Sequence, residues 1–254
     1  MRHKPEPGDK AMKDRHLVII PAYNEESTIE QVVRLSTQYA DVCVVDDAST
    51  DRTSEILAGL PVHRIRHDKN THIARAILDG MSYALEAGYD FCITMDAGMS
   101  HDPRALPQFM EHRDADLVIG YRQSKVNVPI YRKALSFSGT TLINLALARR
   151  RLPWGGAGLR DVTSGYRMYS RKSLELLLQS KIKSRSFDFH LEALAHVYRN
   201  GLKIIEVPIV YVHSNSSLRW PVVKDALRTL ARIWGGSEFS APAKSEALTD
   251  GHAA

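Results

Sequence analysis

A chain of 254 residues, 44% hydrophobic and 25% charged, has the make-up of a soluble globular protein with room for one large domain or two small ones. Its formal net charge of +5 suits anionic substrates or an anionic membrane surface as readily as plain solubility. No basic–aromatic stripe marks a nucleic-acid partner.

Met1–Asp14 is polar and charged, carries no signal peptide, and reads as a flexible lead-in. A single domain is expected over 15–234, and the Gly-, Ser-, Ala- and Pro-rich stretch 235–254 reads as a disordered tail. Within the domain, strands and helices alternate. Strand Leu17–Ile20 precedes a helix near Glu26–Gln38, and strand Val42–Val45 precedes a helix near Arg52–Ala58. Val62–Arg66 is a candidate third strand. A helix over Ile73–Ala87 leads to strand Phe91–Met95. Pro103 opens a further helix as a first-turn proline, and Leu117–Gly120 is another short strand. Beyond it, Ile130–Ala148 reads as a helix. Phe187, Leu191, Leu194, Ala195 and Tyr198 share one helical face, Lys203–Val207 reads as a strand, and Lys224–Trp234 as a basic amphipathic helix. This order predicts a mostly parallel sheet with helices on both faces. Cys43 and Cys92 fall inside strand runs and read as buried free thiols of a reducing compartment. No run reaches the ~18 apolar residues of a membrane span.

Three of the strands end in polar residues: Pro21-Ala22-Tyr23-Asn24-Glu25-Glu26, Asp46-Asp47-Ala48-Ser49-Thr50-Asp51, and Asp96-Ala97-Gly98-Met99-Ser100-His101-Asp102. In open α/β sheets that edge is where ligands bind. Each segment also has a local explanation. Pro21 ends a strand, Ser49 or Thr50 caps a helix, and Asp102 before Pro103 is a good N-cap. Capping does not require the adjacent carboxylates Asp46 and Asp47, which can accept hydrogen bonds from a base or ribose. Asp96 is placed for a hard cation shared with substrate phosphates. The absence of a Walker loop and of a Gly-x-Gly-x-x-Gly turn argues against a simple kinase or dinucleotide enzyme.

Taken in order with Gly120-Tyr121-Arg122, Tyr131-Arg132-Lys133, Asp161-Val162-Thr163-Ser164-Gly165-Tyr166-Arg167, Leu191-Glu192 and Ile205-Glu206-Val207-Pro208-Ile209, these segments resemble glycosyltransferase family 2, and within it the dolichyl-phosphate mannose synthase-like branch. The resemblance runs from about Leu17 to Trp220. It implies the nucleotide-diphospho-sugar transferase (A-type glycosyltransferase) fold. It also implies an inverting transfer of sugar from a nucleotide-diphosphate sugar to a polyprenyl phosphate. The alternatives are a glycosyltransferase with another acceptor, or a non-catalytic sugar-nucleotide-binding protein. By the same resemblance Pro21, Tyr23, Glu25, Val45, Asp47 and Ala97 line the nucleotide site, and Arg219 closes over the donor. Asp96 holds Mg²⁺ or Mn²⁺, with Ser100, His101 and Asp102 as further candidates. Arg122, Arg132 and Ser136 take the acceptor phosphate, and Asp96 and Arg122 carry the chemistry. The chain departs from the family at Gly98, where a second aspartate is usual, and in His213–Ser217, which lacks the usual arginines. A cytoplasmic protein, peripheral on the cytoplasmic membrane face, is expected.

Overall fold

The computed structural model describes residues 14–126, 130–148, 157–212, 220–236 and 239, with the side chains of 125–126 and 130–135 outside that description. Among the described residues seven strands form one sheet: β1 (His16–Ala22), β2 (Asp41–Asp46), β3 (His63–Arg66), β4 (Phe91–Thr94), β5 (Leu117–Val126), β6 (Arg167–Ser170) and β7 (Ile204–Val212). Their order is β3-β2-β1-β4-β6-β5-β7. All neighbours run parallel except β6, which is antiparallel to both β4 and β5. The helices are α1 (Ile29–Ser36), α2 (Thr53–Ala58), α3 (Ile73–Glu86), α4 (Leu106–Met110), α5 (Ile130–Ala148), α6 (Arg171–Gln179), α7 (Phe189–Arg199) and α8 (Trp220–Gly235).

The period-2 alternation of the strands sends successive side chains to opposite faces. Leu17, Ile19, Cys43, Val45, Cys92, Leu117, Ile119 and Tyr169 pack with residues of α3, α5, α6, α7 and α8. Val18, Ile20, Val42, Val44, Phe91, Ile93, Val118 and Met168 pack with residues of α1, α2 and α4. On α1 the buried Ile29, Val32 and Val33 follow helical spacing, each worth about 1.5–3 kcal/mol of apolar burial. Both cysteines are free and buried, and burial pushes the Cys43 thiol up to about 12.

The expected alternation holds through β4, and the second half adds what it lacked. β6 and α6 were absent from the sequence reading. β7 continues past Pro208 to Val212, which an edge strand allows because one side of its ladder is unpaired. α8 starts at Trp220 rather than Lys224, with Pro221 in its first turn. Residue 102 caps a short 3₁₀ turn at Pro103–Ala105 that leads into α4. The expected tail begins with packed residues. Gly235 ends α8, the Gly236 carbonyl accepts from Arg199 at 2.7 Å, and Phe239 is buried under the Arg199 guanidinium, 5.3 Å from its ring centre. Residues 1–13 and 240–254 lie outside the described residues.

Candidate active site

The loops after β1, β2, β3 and β4 leave the same edge of the sheet. The described residues other than glycine with positive φ are Asn24 (56°), Ala48 (63°), His72 (71°) and Met99 (54°), one in each of those four loops. Such backbone costs about 1–3 kcal/mol per residue and persists where surrounding contacts over-determine it. Here the contacts are reciprocal hydrogen bonds between loops. Ser49 Oγ accepts from the Asn24 N–H at 3.0 Å, and Asn24 Oδ1 from the Thr50 N–H at 2.8 Å. Thr53 Oγ1 accepts from the Glu25 N–H at 2.8 Å, Asp51 from the Glu26 N–H at 3.1 Å, and Glu26 from the Arg52 N–H at 3.1 Å.

The adjacent carboxylates Asp46 and Asp47 belong to the same scaffold. Asp46 accepts from the Ser49 N–H at 2.9 Å and pairs with Arg66. Asp47 Oδ1 accepts from the Thr71 N–H (2.7 Å) and hydroxyl (2.8 Å) and lies 2.7 Å from His67 Nδ1, while Oδ2 accepts from the His72 N–H at 2.8 Å. Burial opposes its charge, but these bonds together hold the Asp47 carboxyl below its ordinary value. Asp47 therefore shapes the loop over 67–72 before it meets any base. Pro21 lies in β1, and the exposed Tyr23 follows it. The side chains of Val45 and Ala97 are buried in the two core layers, so they offer a ligand only main-chain atoms.

Asp96 follows β4 with its side chain 32% exposed. Its N–H donates to His101 Nδ1 at 3.2 Å. That ring is buried, stacked 5.0 Å from Tyr166. Burial lowers the His101 pKa, against the pull of the Asp96 charge, and Nδ1 is engaged by the Asp96 N–H. It supports Asp96 through its main chain. The Asp102 carboxylate accepts from the Arg104 main chain (3.0 Å) and guanidinium (2.9 Å). Ser100 is buried, and its carbonyl accepts from the Val212 N–H at 3.4 Å. Glu25 is half-buried. Burial, then the charges of Asp96 and Asp51, push its carboxyl up against a hydrogen bond from Thr28.

No three His, Cys, Asp or Glu side chains gather around a point among the described residues. Asp96, with Glu25 adding to the local negative field, fits a hard cation that takes most of its oxygens from a diphosphate and water. Softer metals needing a cage of nitrogen or sulfur do not fit.

The cationic wall lies across β6. Thr94, Arg167 and Ile119 form one row of β4, β6 and β5, so Asp96, just beyond β4, and Arg122, farther along β5, lie on strands two spacings apart, roughly 10 Å. Burial opposes the charge of Arg122, and the hydrogen bond and charge of Asp161, with lesser help from Tyr211 and Asp96, keep it protonated. A register shift between Arg122 and Ser124 marks the kind of bulge that re-aims side chains beside sites.

Arg122 is no solvated surface charge, its side chain being only 16% exposed. It donates to Asp161 through Nε (2.6 Å) and Nη2 (2.8 Å), and Nη2 also donates to Ser136 (3.4 Å) and to Thr163. The guanidinium lies 5.3 Å from the centre of the Tyr211 ring. Burial disfavours the charge of Asp161, yet the Arg122 hydrogen bonds and charge bring its carboxyl down to about 2. Ser136 thus reaches the Arg122 cluster. The Arg132 side chain and all of Arg219 lie outside the described residues.

Asp161 and Thr163 carry this cluster, and the sequence quoted them without a role. Glu206 accepts from the N–H groups of Arg160 (2.8 Å) and Asp161 (3.1 Å). Arg167 is fully buried, and its guanidinium donates to the carbonyls of Ser164 (2.8 Å), Val162 (2.6 Å) and His190 (2.5 Å). It braces the loop that bears Asp161 from beneath. Gly165 completes the fit, because a Cβ there would stand 2.9 Å from His190 Nε2.

Residues 17–178 match the family model for glycosyl transferase family 2. The chain belongs to glycosyl transferase family 2. An undecaprenyl-phosphate mannosyltransferase of Micrococcus luteus is 33% identical over 237 residues, 87% of this glycosyltransferase and 94% of its own chain. A polyprenol monophosphomannose synthase of Mycolicibacterium smegmatis is 30% identical over 239 residues, 87% of each chain. In three dimensions this glycosyltransferase is similar to glucosyl-3-phosphoglycerate synthase of Mycobacterium tuberculosis, solved with Mn²⁺, UDP and product. The TM-score is 0.68 at 18% identity, over 92% of this chain and 87% of the other. At that identity the likeness is one of fold, and it bears out the nucleotide-diphospho-sugar transferase architecture.

Proposed function

We propose that this family 2 glycosyltransferase moves one sugar from a nucleoside-diphosphate sugar to the phosphate of a polyprenyl phosphate, with inversion at the anomeric carbon. The observation that carries the reading is that Asp96 and Arg122 lie at the same end of the Thr94–Arg167–Ile119 row, near enough for their charges to interact: an acidic end for a metal-bound diphosphate and a cationic end for an anionic acceptor. Relatives named for polyprenyl-phosphate acceptors cover nearly the whole chain.

An acceptor phosphate oxygen attacks the anomeric carbon as the bond to the diphosphate breaks on the opposite face. A phosphate monoester is already anionic near neutral pH, so no strong general base is required. Arg122, with Arg132 and Ser136 from α5, orients that phosphate. Asp96 would hold Mg²⁺ or Mn²⁺ against the donor diphosphate, and the cation would supply charge that offsets the leaving group. Pro21, Tyr23, Glu25 and the main chain at Val45 and Ala97 receive the nucleotide, with Arg219 as its cover.

The same reading places the protein as a peripheral enzyme at the cytoplasmic membrane face. No described helix is long and apolar enough to cross a membrane. Next to Ser136, α5 exposes Phe137 (76%), Leu142 and Leu145. The neighbouring α8 exposes Trp220 (74%), Leu227 and Trp234 beside Lys224 and Arg228. Aromatic and basic groups on one helix face suit the headgroup region of anionic lipid.

The test is incubation with GDP- and UDP-sugars, Mn²⁺ or Mg²⁺, and a polyprenyl phosphate. The expected product is one organic-extractable sugar phospholipid of inverted configuration. Transfer only to water-soluble acceptors would overturn the reading. Co-sedimentation with anionic vesicles, weakened by salt, is expected; its absence at low salt would remove the membrane part.

A further inference from the structure

His72 stands where a side chain is least tolerated. Its φ of 71° and ψ of 162° lie in a region that is almost exclusively glycine's. The main chain there is well held. Its N–H donates to Asp47 Oδ2 at 2.8 Å and Asn70 Oδ1 at 3.2 Å, and its carbonyl accepts from the N–H groups of Arg75 (3.1 Å) and Ala76 (3.3 Å). A glycine would make every one of these bonds without strain. The imidazole itself is exposed and makes no hydrogen bond or ion pair with any described residue. The conformation thus serves the loop's hydrogen bonds, but no contact within the described fold calls for a histidine side chain there.

Its position gives it a use. The loop after β3 lies three strand spacings from β4 in the order β3-β2-β1-β4, roughly 14 Å. That span is comparable to an extended nucleoside diphosphate. A donor whose diphosphate sits at Asp96 extends its nucleoside along the edge toward β2 and β3. Asp47, just after β2, is buried and turned to His67, Thr71 and His72. Recognition at that end falls to the loop Asp47 holds up. A flat imidazole with one nitrogen donor and one acceptor can stack on a base or bond to its edge or to ribose.

We infer that His72 reads the nucleoside half of the donor, and that its strained backbone persists because the imidazole is used there. This rests on the donor-binding reading above. The test uses the full chain, His72→Gly and His72→Ala. GDP and UDP, each with Mn²⁺, and inorganic pyrophosphate are titrated by calorimetry, and each protein is melted without ligand. His72→Gly is expected to melt roughly 2–4 °C higher. It should bind the preferred nucleoside diphosphate about tenfold more weakly, the size of one base–aromatic stack, and bind pyrophosphate as the parent does. His72→Ala should lose the same affinity without that rise in melting temperature.

Unchanged nucleoside diphosphate affinity in both variants would overturn the inference, as would an equal loss for pyrophosphate. A parent that binds neither GDP nor UDP would overturn both this inference and the donor reading. The expected loss of affinity in a parent that transfers no sugar to polyprenyl phosphate would sustain the inference and break only the acceptor assignment.

Discussion

The two ends of the crevice are built on different principles. At the end formed by the loops after β1 and β2, carboxylates and hydroxyls accept mainly from main-chain N–H groups, as at Asp46 with Ser49, Asp51 with Glu26, and Glu26 with Arg52. Main-chain donors are present whatever the side chain, so several local bonds share the task of holding the shape. At the end formed by β5, one guanidinium and one carboxylate, Arg122 and Asp161, are buried against each other. That pair has no deputy. The donor end should tolerate the loss of a single scaffold acid, and the acceptor end should not tolerate the loss of its one.

The sharpest way to break this comparison is to remove the donor-end acid that the scaffold does not use. Asp96→Asn is expected to lower kcat by about 10³-fold while leaving the melting temperature unchanged. Near-normal turnover would withdraw Asp96 from the chemistry. Next, Asp161→Asn strands a buried guanidinium and should destabilise the protein by about 3 kcal/mol, read from urea melts, with a raised KM for the acceptor. A loss below about 1 kcal/mol would mean that Ser136, Thr163 and Tyr211 suffice for Arg122 and that the contrast is wrong.

A third measurement uses acid. The Asp161 carboxyl is depressed from 3.8 to about 2 in the folded protein. Its contribution is therefore complete above about pH 4 and is lost as pH falls through about 2, some 2 kcal/mol in all. The parent's stability should fall across that window with an increment missing from Asp161→Asn. The smallest expected effect is at Gly98, whose φ lies outside the left-handed region, so a side chain is admissible. Gly98→Asp should tighten Mn²⁺ binding in the absence of nucleotide by about tenfold, with stability unchanged within ~0.5 kcal/mol. Equal metal titrations for parent and variant would show that the added carboxylate does not face the Asp96 site.

Much of the donor half was legible because its strands are buried runs with clear ends: Leu17–Ile20, Val42–Val45 and Phe91–Thr94. β6 was not, because it has four residues and begins with Arg167, which composition reads as surface. Its burial is intelligible only once three carbonyls converge on its guanidinium. β7 was read as ending before Pro208, since the sequence does not say which strand lies at an edge. The site followed the same division. Asp96 stood out from its place after a buried strand, and only the family resemblance named Arg122 and Ser136 together. The scaffold role of Asp46 and Asp47 could not be read, because a carboxylate after a strand accepts N–H groups equally well from a loop or from a base. His101 was a candidate ligand beside Asp96, and its burial against Tyr166 was not legible from that nearness. Phe239 sat in a stretch whose composition reads as tail, and a single aromatic docked on Arg199 is beyond the reach of composition.

The place of β6 has a consequence for how the chain is made. β5 emerges from the ribosome before either of its partners, β6 and β7, and β4 has only β1 beside it until β6 arrives. From the completion of β5 until residue 170 is available, a nascent chain carries one half-sheet with an open edge and one orphan strand. Such edges invite pairing with the wrong neighbour. The two parts join when Arg167–Ser170 threads antiparallel between β4 and β5, a long-range step of the kind that slows folding, and the far side of β5 is covered only when β7 follows. The strand that joins the two ends of the crevice is thus also the one that joins the two parts of the nascent sheet.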